Sequence, residues 1–443
     1  MNKTIEYKIA EKIKEKDGRV FYVGGYVRDS LLNIKTKDID IEVHNISYDD
    51  LIDTISELGE VVEHGSNFGI LSLKKHNLDI ALPRKEFNTG RGHKDFKIYT
   101  DPFIGTYKAA KRRDFTINAL MKDVLTGEII DHFNGLQDLE NKIIRHIDDD
   151  SFVEDPLRVL RACQFASRFN FKIADETINL CSKMDISSLS KERIEEELKK
   201  ALLLSNKPSI FFDYLRQMKQ LDFWFKEIND LINVKQDPIY HPEGDVYTHT
   251  MIVLNEASKY LNEVSNPYSF MLLALCHDLG KTVSSFEDNG RIHAYNHENS
   301  GVEIASKLLK RFSNNKNVKK YITNMIKFHM KPNVCFRNNA KEKTTNAMFD
   351  EAIAPIDLIY FAMCDHISNE TIDTRKQFLF ERLNIYNELM KKPEVTGDDL
   401  IKAGLIPDER FKETLEFAHK LHLSGIDKDN ALKQALSYHF KLK

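Results

Sequence analysis

VFYVGGYVRDSLLNIKTKDIDIEVH, residues 20–44, decides the reading of this chain. Val20-Phe21-Tyr22-Val23 is an apolar run of strand length. Gly24-Gly25 follows, then a short amphipathic segment carrying Arg28 and Leu31-Leu32. A strand, a glycine pair and a helix start make a seat for phosphate. Glycine lets backbone N–H groups approach an anion, and a helix N-terminus adds positive potential. Asp38-Ile39-Asp40 comes next, in a stretch rich in β-branched residues. Side chains two apart on a strand point the same way, so Asp38 and Asp40 share one face while Ile39 and Ile41 turn to the core. Two neighbouring carboxylates repel unless a cation lies between them, and Mg²⁺ held by carboxylates and substrate phosphates is the expected cation. Either motif alone is a solvated turn or a surface acidic pair. Together and in this order they imply nucleotidyl transfer on a small mixed sheet.

At 443 residues the chain has room for about two to four domains and ample core. Its net charge of −4 announces no global basic field, so a polynucleotide site must be a local patch. The cysteines (163, 181, 276, 335 and 364) are scattered and lack CxxC spacing, which suits reduced thiols rather than disulfides or a zinc knuckle. No apolar run approaches membrane-spanning length, so a cytoplasmic enzyme with no membrane partner is expected.

Residues 1–17 and 48–58 have helical patterning, and 60–64, 69–74 and 78–82 read as strands. Asp79 lies on a strand able to pair beside the Asp38/Asp40 strand. It is either a third carboxylate that accepts a proton from an attacking hydroxyl or a plain strand-edge aspartate. Residues 84–103 lack periodicity and read as a long functional loop. Lys111-Arg112-Arg113 places cations that suit a triphosphate, although such a run alone is more often a solvated face.

Residues 152–171, FVEDPLRVLRACQFASRFNF, read as an amphipathic helix with an acidic, proline-bearing first turn. Asp155 and Arg158 are i,i+3 neighbours that either pair with each other or read a base. Cytosine and adenine both present an amino donor beside a ring-nitrogen acceptor, the pattern a carboxylate beside a guanidinium complements. Helices at 174–184, 190–203 and 207–220 continue an all-α region, and Pro238, Pro242 and Gly244 mark a boundary. Beyond it lies a second set of metal-type residues. His249 opens a helix, His277-Asp278 ends an apolar one, His293 and His297 lie in a loop, and His329 and Asp365 follow. A His-Asp pair at the end of a buried helix needs a counter-charge or a metal, and imidazole plus carboxylate suits an ion that activates water against a phosphoester.

GGYVRD, KDIDIEV, KRRDFTINAL, EDPLRVLRACQF and SKERIEEELKKAL, in this order, resemble the class II nucleotidyltransferases. These are the bacterial CCA-adding tRNA nucleotidyltransferases and their relatives, the bacterial poly(A) polymerases. HPEGDVYTHT, LLALCHDLGK and Asp365 resemble the HD phosphohydrolase domain that some CCA-adding enzymes carry. The resemblance implies an α+β fold: a polymerase-β-like head with a mixed sheet (1–147), an all-α neck and body (148–231), an all-α HD domain (232–370) and a helical C-terminal region (371–443). It implies CTP, ATP and a tRNA 3′ end as partners.

Gly24, Gly25 and Arg28 would then meet the triphosphate, Asp38 and Asp40 hold two Mg²⁺ with Asp79 as catalytic partner, and Arg113 bind the nucleotide. Asp155 and Arg158 would read the base, with Arg161 adding a contact, and His249, His277, Asp278 and Asp365 would hold the HD metal. Gln164 stands where the family's helix commonly has an arginine, a loss of charge for which Arg168 is the nearest substitute. The segment from Arg84-Lys85-Glu86 resembles the family's flexible loop, implicated in switching from C to A addition. A poly(A) polymerase, or an HD phosphohydrolase whose N-terminal part only binds RNA or nucleotide, are the competing readings.

Overall fold

The computed structural model describes residues 3–36, 39–64, 70–74, 76, 78–88, 96–365 and 372–441. Asp38 lies outside the described residues. The chain divides into two compact units, residues 1–201 with 210–223, and residues 202–209 with 224–443.

The first unit begins with α1 (Ile5–Lys14), β1 (Arg19–Val23), α2 (Gly25–Leu31), β2 (Ile39–His44), α3 (Tyr48–Ser56), β3 (Val61–His64), β4 (Ile70–Leu73) and β5 (Leu78–Ala81). It continues through β6 (Arg84–Asn88), β7 (Phe96–Thr100), α4 (Thr106–Lys111), β8 (Met121–Asp123), β9 (Ile129–Ile130) and α5 (Gly135–Asn141). A seven-stranded mixed sheet runs β3-β4-β5-β2-β1-β8-β9, with β2 parallel to β5 and antiparallel to β1. Ile9 and Ile13 of α1, Val20, Ile41 and Val43 of the central strands, and Leu51 and Ile55 of α3 form its core. Ile41 is fully buried and Ile39 packs against this core while Asp40 is exposed, as strand alternation requires.

Part of the loop expected over 84–103 is strand: β6 and β7 pair antiparallel as a separate ribbon, and residues 89–95 of the expected loop lie outside the described residues. An isolated two-stranded ribbon need not bury one face, so no apolar alternation marks it in sequence.

A helical segment follows: β10 (Ile143–Ile144), α6 (Asp149–Phe152), α7 (Leu157–Phe169), β11 (Lys172–Ile173), α8 (Asp175–Cys181), α9 (Lys191–Leu203), α10 (Ser209–Gln217) and α11 (Leu221–Asn229). The helix expected from Phe152 starts later, at Leu157. Phe152 closes the short α6, and Pro156 occupies the N-cap of α7. Val159, Leu160, Ala162, Cys163 and Ala166 of α7 are fully buried.

The second unit contains α12 (Val246–Ala257), α13 (Pro267–Cys276), α14 (Lys281–Ser284), β12 (Ser285–Asp288), β13 (Arg291–Ala294), α15 (His297–Phe312) and α16 (Lys316–Phe328). Then come α17 (Lys331–Arg337), α18 (Glu342–Glu351), α19 (Pro355–Cys364), α20 (Ile372–Leu389), α21 (Gly397–Lys402), α22 (Phe411–Leu423) and α23 (Lys428–Lys441). Among its described residues the unit is helical apart from the hairpin β12–β13, so His293 sits on a strand and His297 at a helix start, not in one loop. Helices α13 and α19 share a pattern: proline in the first turn, an apolar buried body, and a metal-type residue at the C-cap, His277 and Asp365 respectively.

Candidate functional sites

In the first unit, parallel pairing sets Asp40 opposite Asp79 in exact register, and both are exposed. In-register neighbours on adjacent strands stand about 4.8 Å apart and point to the same face. The expected third carboxylate is thus beside Asp40. Gly24 has φ +62, and a Cβ there would lie 2.8 Å from Nη1 of Arg113. A Cβ on Gly25 would lie 3.4 Å from Nη2 of Arg28. The glycine pair therefore lets two guanidinium groups close on the turn, which makes the seat positive as well as rich in backbone N–H groups.

Arg28 is buried and well tied. Its Nε donates to Asp29 Oδ1 at 2.7 Å and its Nη1 to Asn118 Oδ1 at 2.5 Å, and it packs over the rings of Phe165 and Phe169. Burial lowers its pKa, against the pull of Asp29. Arg168 donates to the other Asp29 oxygen at 3.2 Å, so α7 reaches Arg28 through one carboxylate. Gln164 is 1% exposed and its Nε2 has no hydrogen-bond partner among the described residues.

Glu42, which sequence reading passed over, organises the cation run. It is 1% exposed, bonded to His44 at 2.9 Å, with Nη2 of Arg112 and Arg113 at 3.2 and 3.5 Å. Burial pushes its carboxyl up, but His44 and the two arginines outweigh this and hold it at about 2. The strand alternation that places Asp40 outward carried the signal, since Glu42 continues the same face toward the cations.

Asp155 and Arg158 do not pair with each other. Asp155 accepts from Nη2 of Arg193 on α9 at 3.0 and 2.9 Å, and its Oδ1 caps the N–H of Leu157. Arg158 donates to the backbone carbonyls of Ser151 and Arg112 at 2.7 and 2.9 Å. Arg161 grips buried Asp114 with Nε at 2.7 Å and Nη2 at 2.6 Å. Burial raises the pKa of Asp114, but Arg161 and Asn118 outweigh it and keep the carboxyl below its usual range.

In the second unit, the residues expected to hold a metal come together, joined by others. His249 Nε2 is 3.0 Å from Asp365 Oδ1. His277 Nε2 is 3.2 Å from Asp278 Oδ2 and 3.6 Å from Asp365 Oδ1, with a hydrogen bond to neither. His297 and His329, noticed in the sequence without an assigned role, bring their Nε2 atoms to 3.3 and 3.9 Å from Asp278 Oδ1. Lys281, three residues beyond Asp278, sets its buried Nζ 2.7 Å from Asp278 Oδ2 and donates to Gln236. Glu243 accepts from Nδ1 of His249 at 2.7 Å. His293 stays outside the cluster, against Tyr295.

Gly280 permits this closeness, because a Cβ there would run into the backbone carbonyl of His297. The cluster fits a cation. His249 is lifted to about 9: burial lowers it, but the carboxylates of Asp365 and Glu243 win. A positive charge is favoured here, and a bound metal would supply one.

The fold and the two sites define a class: a nucleotidyl-transfer type head in one chain with a His–Asp metal-binding unit. Residues 20–145 match the family described as "Poly A polymerase head domain", residues 170–232 the "Probable RNA and SrmB- binding site of polymerase A", and residues 246–370 the "HD domain". The "Multifunctional CCA protein" of Actinobacillus pleuropneumoniae serotype 5b (strain L20) is 36% identical over 318 residues, covering 70% of this chain and 75% of that protein. The fold is similar to that of the "Thermotoga maritima CCA-adding enzyme complexed with tRNA_CCA", with TM-score 0.65, 22% identity, and coverage of 98% and 94% of the two chains. It is also similar to "The complex structure of CCA-adding enzyme with CTP", with TM-score 0.66, 22% identity and coverage of 99% and 94%. The chain belongs to the class II CCA-adding tRNA nucleotidyltransferase family, in the branch that carries an HD domain.

Proposed function

We propose that this chain adds C, C and A to tRNA 3′ ends from CTP and ATP, without a nucleic-acid template and with release of pyrophosphate. The observation that carries the reading is the register of Asp40 against Asp79, beside a glycine pair closed by Arg113 and Arg28. Arg113, Arg28 and the backbone at Gly24-Gly25 bind the triphosphate. Asp38 and Asp40 hold two Mg²⁺ ions, and Asp79 receives the proton of the attacking 3′-hydroxyl. Bound Mg²⁺ neutralises charge on the phosphates and the entering oxygen. The 3′ oxygen forms a bond to the α-phosphorus as the bond to the pyrophosphate oxygen breaks.

Asp155 and Arg158 present complementary edges to cytosine and adenine, and Arg161 steadies α7 beside them. The head spans residues 1–147, the neck and body 148–231, the HD domain 232–370 and a helical region 371–443. His249, His277, Asp278 and Asp365 hold a divalent ion for phosphoester hydrolysis. Among the described residues no helix is long and apolar enough to cross a membrane, and we place the enzyme in the cytoplasm.

The test is nucleotide incorporation on a tRNA transcript ending before CCA, with Mg²⁺ and CTP, ATP or both, sized at single-nucleotide resolution. Two additions with CTP and a third only with ATP are expected. A long ladder with ATP alone would make this a poly(A) polymerase, and no extension would overturn the reading.

A further inference from the structure

We propose that the exposed face of α16 is an RNA-backbone surface of the second unit, one that holds phosphates without reading sequence. The proposal rests on the reading of the chain as an enzyme of tRNA and goes beyond it, since nucleotidyl transfer in the head requires nothing of this face.

The sequence concentrates charge here. From residue 304 to residue 341 there are 10 lysines and arginines and no aspartate or glutamate, so the stretch carries +10 in a chain whose net charge is −4. A local patch of this kind is what a polynucleotide site needs when the whole chain offers no basic field.

Core packing accounts for one side of α16. Val318, Tyr321, Ile322, Met325, Ile326 and Phe328 are buried. Lys316, Lys319, Lys320 and Lys327 are exposed on the other side. Lys316, Lys320 and Lys327 follow one another at four and seven residues, so they line a single stripe. Among the described residues none of these four lysines has an ion pair. By contrast, Lys307 and Arg311 of α15 are held by Glu303 at 2.9 Å and Glu227 at 2.6 Å.

Helix stability does not explain the arrangement. Lys316 has Lys319 and Lys320 at i,i+3 and i,i+4, where like charges destabilise. The first turn of α16 holds no acidic residue, although the helix dipole favours one there. A bound polyanion offsets both costs.

Geometry and composition select the class of anion. At 1.5 Å per residue the stripe from Lys316 to Lys327 runs about 16 Å, too long for one phosphate and suited to successive phosphates of a strand. A lipid surface is the competing polyanion. Helices that lie in a lipid interface carry large apolar side chains opposite their cations, ready to insert. Among the described residues no large hydrophobic side chain between Tyr295 and Val334 is exposed. The stripe is lysine, a point charge for phosphate, and has no exposed aromatic ring on which a base could stack. It therefore positions a backbone and leaves the bases unread.

The experiment measures binding of a fluorescent tRNA transcript ending before CCA to the full chain by anisotropy, from about 50 to 200 mM salt. No nucleotide is present, so the result does not depend on whether the head adds C, C and A. The triple variant Lys316→Gln/Lys320→Gln/Lys327→Gln should bind about 10- to 100-fold more weakly at the lower salt. Its slope of log affinity against log salt should be shallower by about 2–3, the counterions released by three phosphate contacts. A control of equal charge change, Lys226→Gln/Lys259→Gln/Lys307→Gln, removes lysines already paired with Asp230, Glu256 and Glu303. Its slope should stay at the parent value. Circular dichroism checks folding, and if the triple variant fails, the three single variants, each shallower by about one, decide instead. Equal slopes in the parent and the stripe variant would overturn the proposal, and so would an equal loss in the control, which would make the effect one of net charge. Phosphatidylserine vesicles that bind the parent and not the stripe variant, with the tRNA slope unchanged, would overturn it in favour of a lipid surface.

Discussion

Glu243 Oε1 stands 2.7 Å from Nδ1 of His249 and thereby fixes which nitrogen of that imidazole faces Asp365. Glu243 precedes the Asp245 N-cap of α12, whose side chain accepts from Thr248 N–H at 2.9 Å. The cap anchors the turn that brings Glu243 under His249. Glu243→Ala should therefore weaken metal retention by about 10- to 100-fold, the usual cost of losing a partner of a ligating histidine. Glu243→Gln, which still accepts from Nδ1, should lose less. Competition with a fluorescent chelator measures both, and equal affinities across the three proteins would show that Glu243 has no orienting role.

Asp40 and Asp79 share a face but differ in their proposed work. Asp40→Asn removes a Mg²⁺ ligand and should lower incorporation of both CTP and ATP by about 10³-fold or more. Asp79→Asn removes a proton acceptor and should cost about 10²- to 10³-fold in kcat with KM little changed. Hydrolysis of a simple phosphodiester by the HD site should survive both substitutions. Single-turnover extension of a tRNA lacking CCA separates the two; retained extension by Asp40→Asn would sink the assignment.

Much of this was legible because strand alternation and terminal residues carry chemistry in fixed places. Gly24-Gly25 and Asp40 could be read from order and period alone, and Asp79 from the likelihood that a short apolar strand joins the same sheet. Asp38 falls outside the described residues, so its expected place beside Asp40 rests on period alone. What could not be read was who pairs with whom over long separations. Asp155 meets Arg193 across 38 residues, and Arg161 meets Asp114 across 47. Neither pairing leaves a local pattern, whereas the i,i+3 spacing of Asp155 and Arg158 suggested a contact that other partners pre-empt. His297 and His329 were hidden similarly, because a lone histidine in sequence does not reveal that its Nδ1 will be tied to a carbonyl.

The Arg193–Asp155 pair makes a separate prediction about base choice. If Asp155 reads an amino group, Asp155→Ala should lower the CTP-over-UTP ratio of kcat/KM by about tenfold or more, as loss of a paired hydrogen-bond edge does. Arg193→Ala leaves the carboxylate in place but untethered, so its effect should be in the same direction and smaller. Competition between labelled CTP and UTP on a tRNA lacking CCA reads both. An unchanged ratio in Asp155→Ala would assign selection to other residues.

Glu42 predicts the acid limb of the head. Its carboxyl sits at about 2 in the folded chain against an ordinary 4.5, because His44, Arg113 and Arg112 overcome the cost of burial. A folded pKa below the unfolded one means the ionised group favours folding. The stability is complete above pH 4.5 and is lost as pH falls from there toward 2. The difference corresponds to about 3 kcal/mol. Glu42→Gln should therefore destabilise the head at pH 7 by roughly this amount and flatten its decline in acid. The only tryptophan, Trp224, belongs to the second unit, so fluorescence would miss the event. Hydrogen exchange of the β1 and β2 amides, followed by mass spectrometry from pH 7 downward with rates corrected for intrinsic exchange, reports it directly. Identical protection in the variant and the parent at pH 7 would show that the Glu42 cluster contributes nothing to the stability of the central strands.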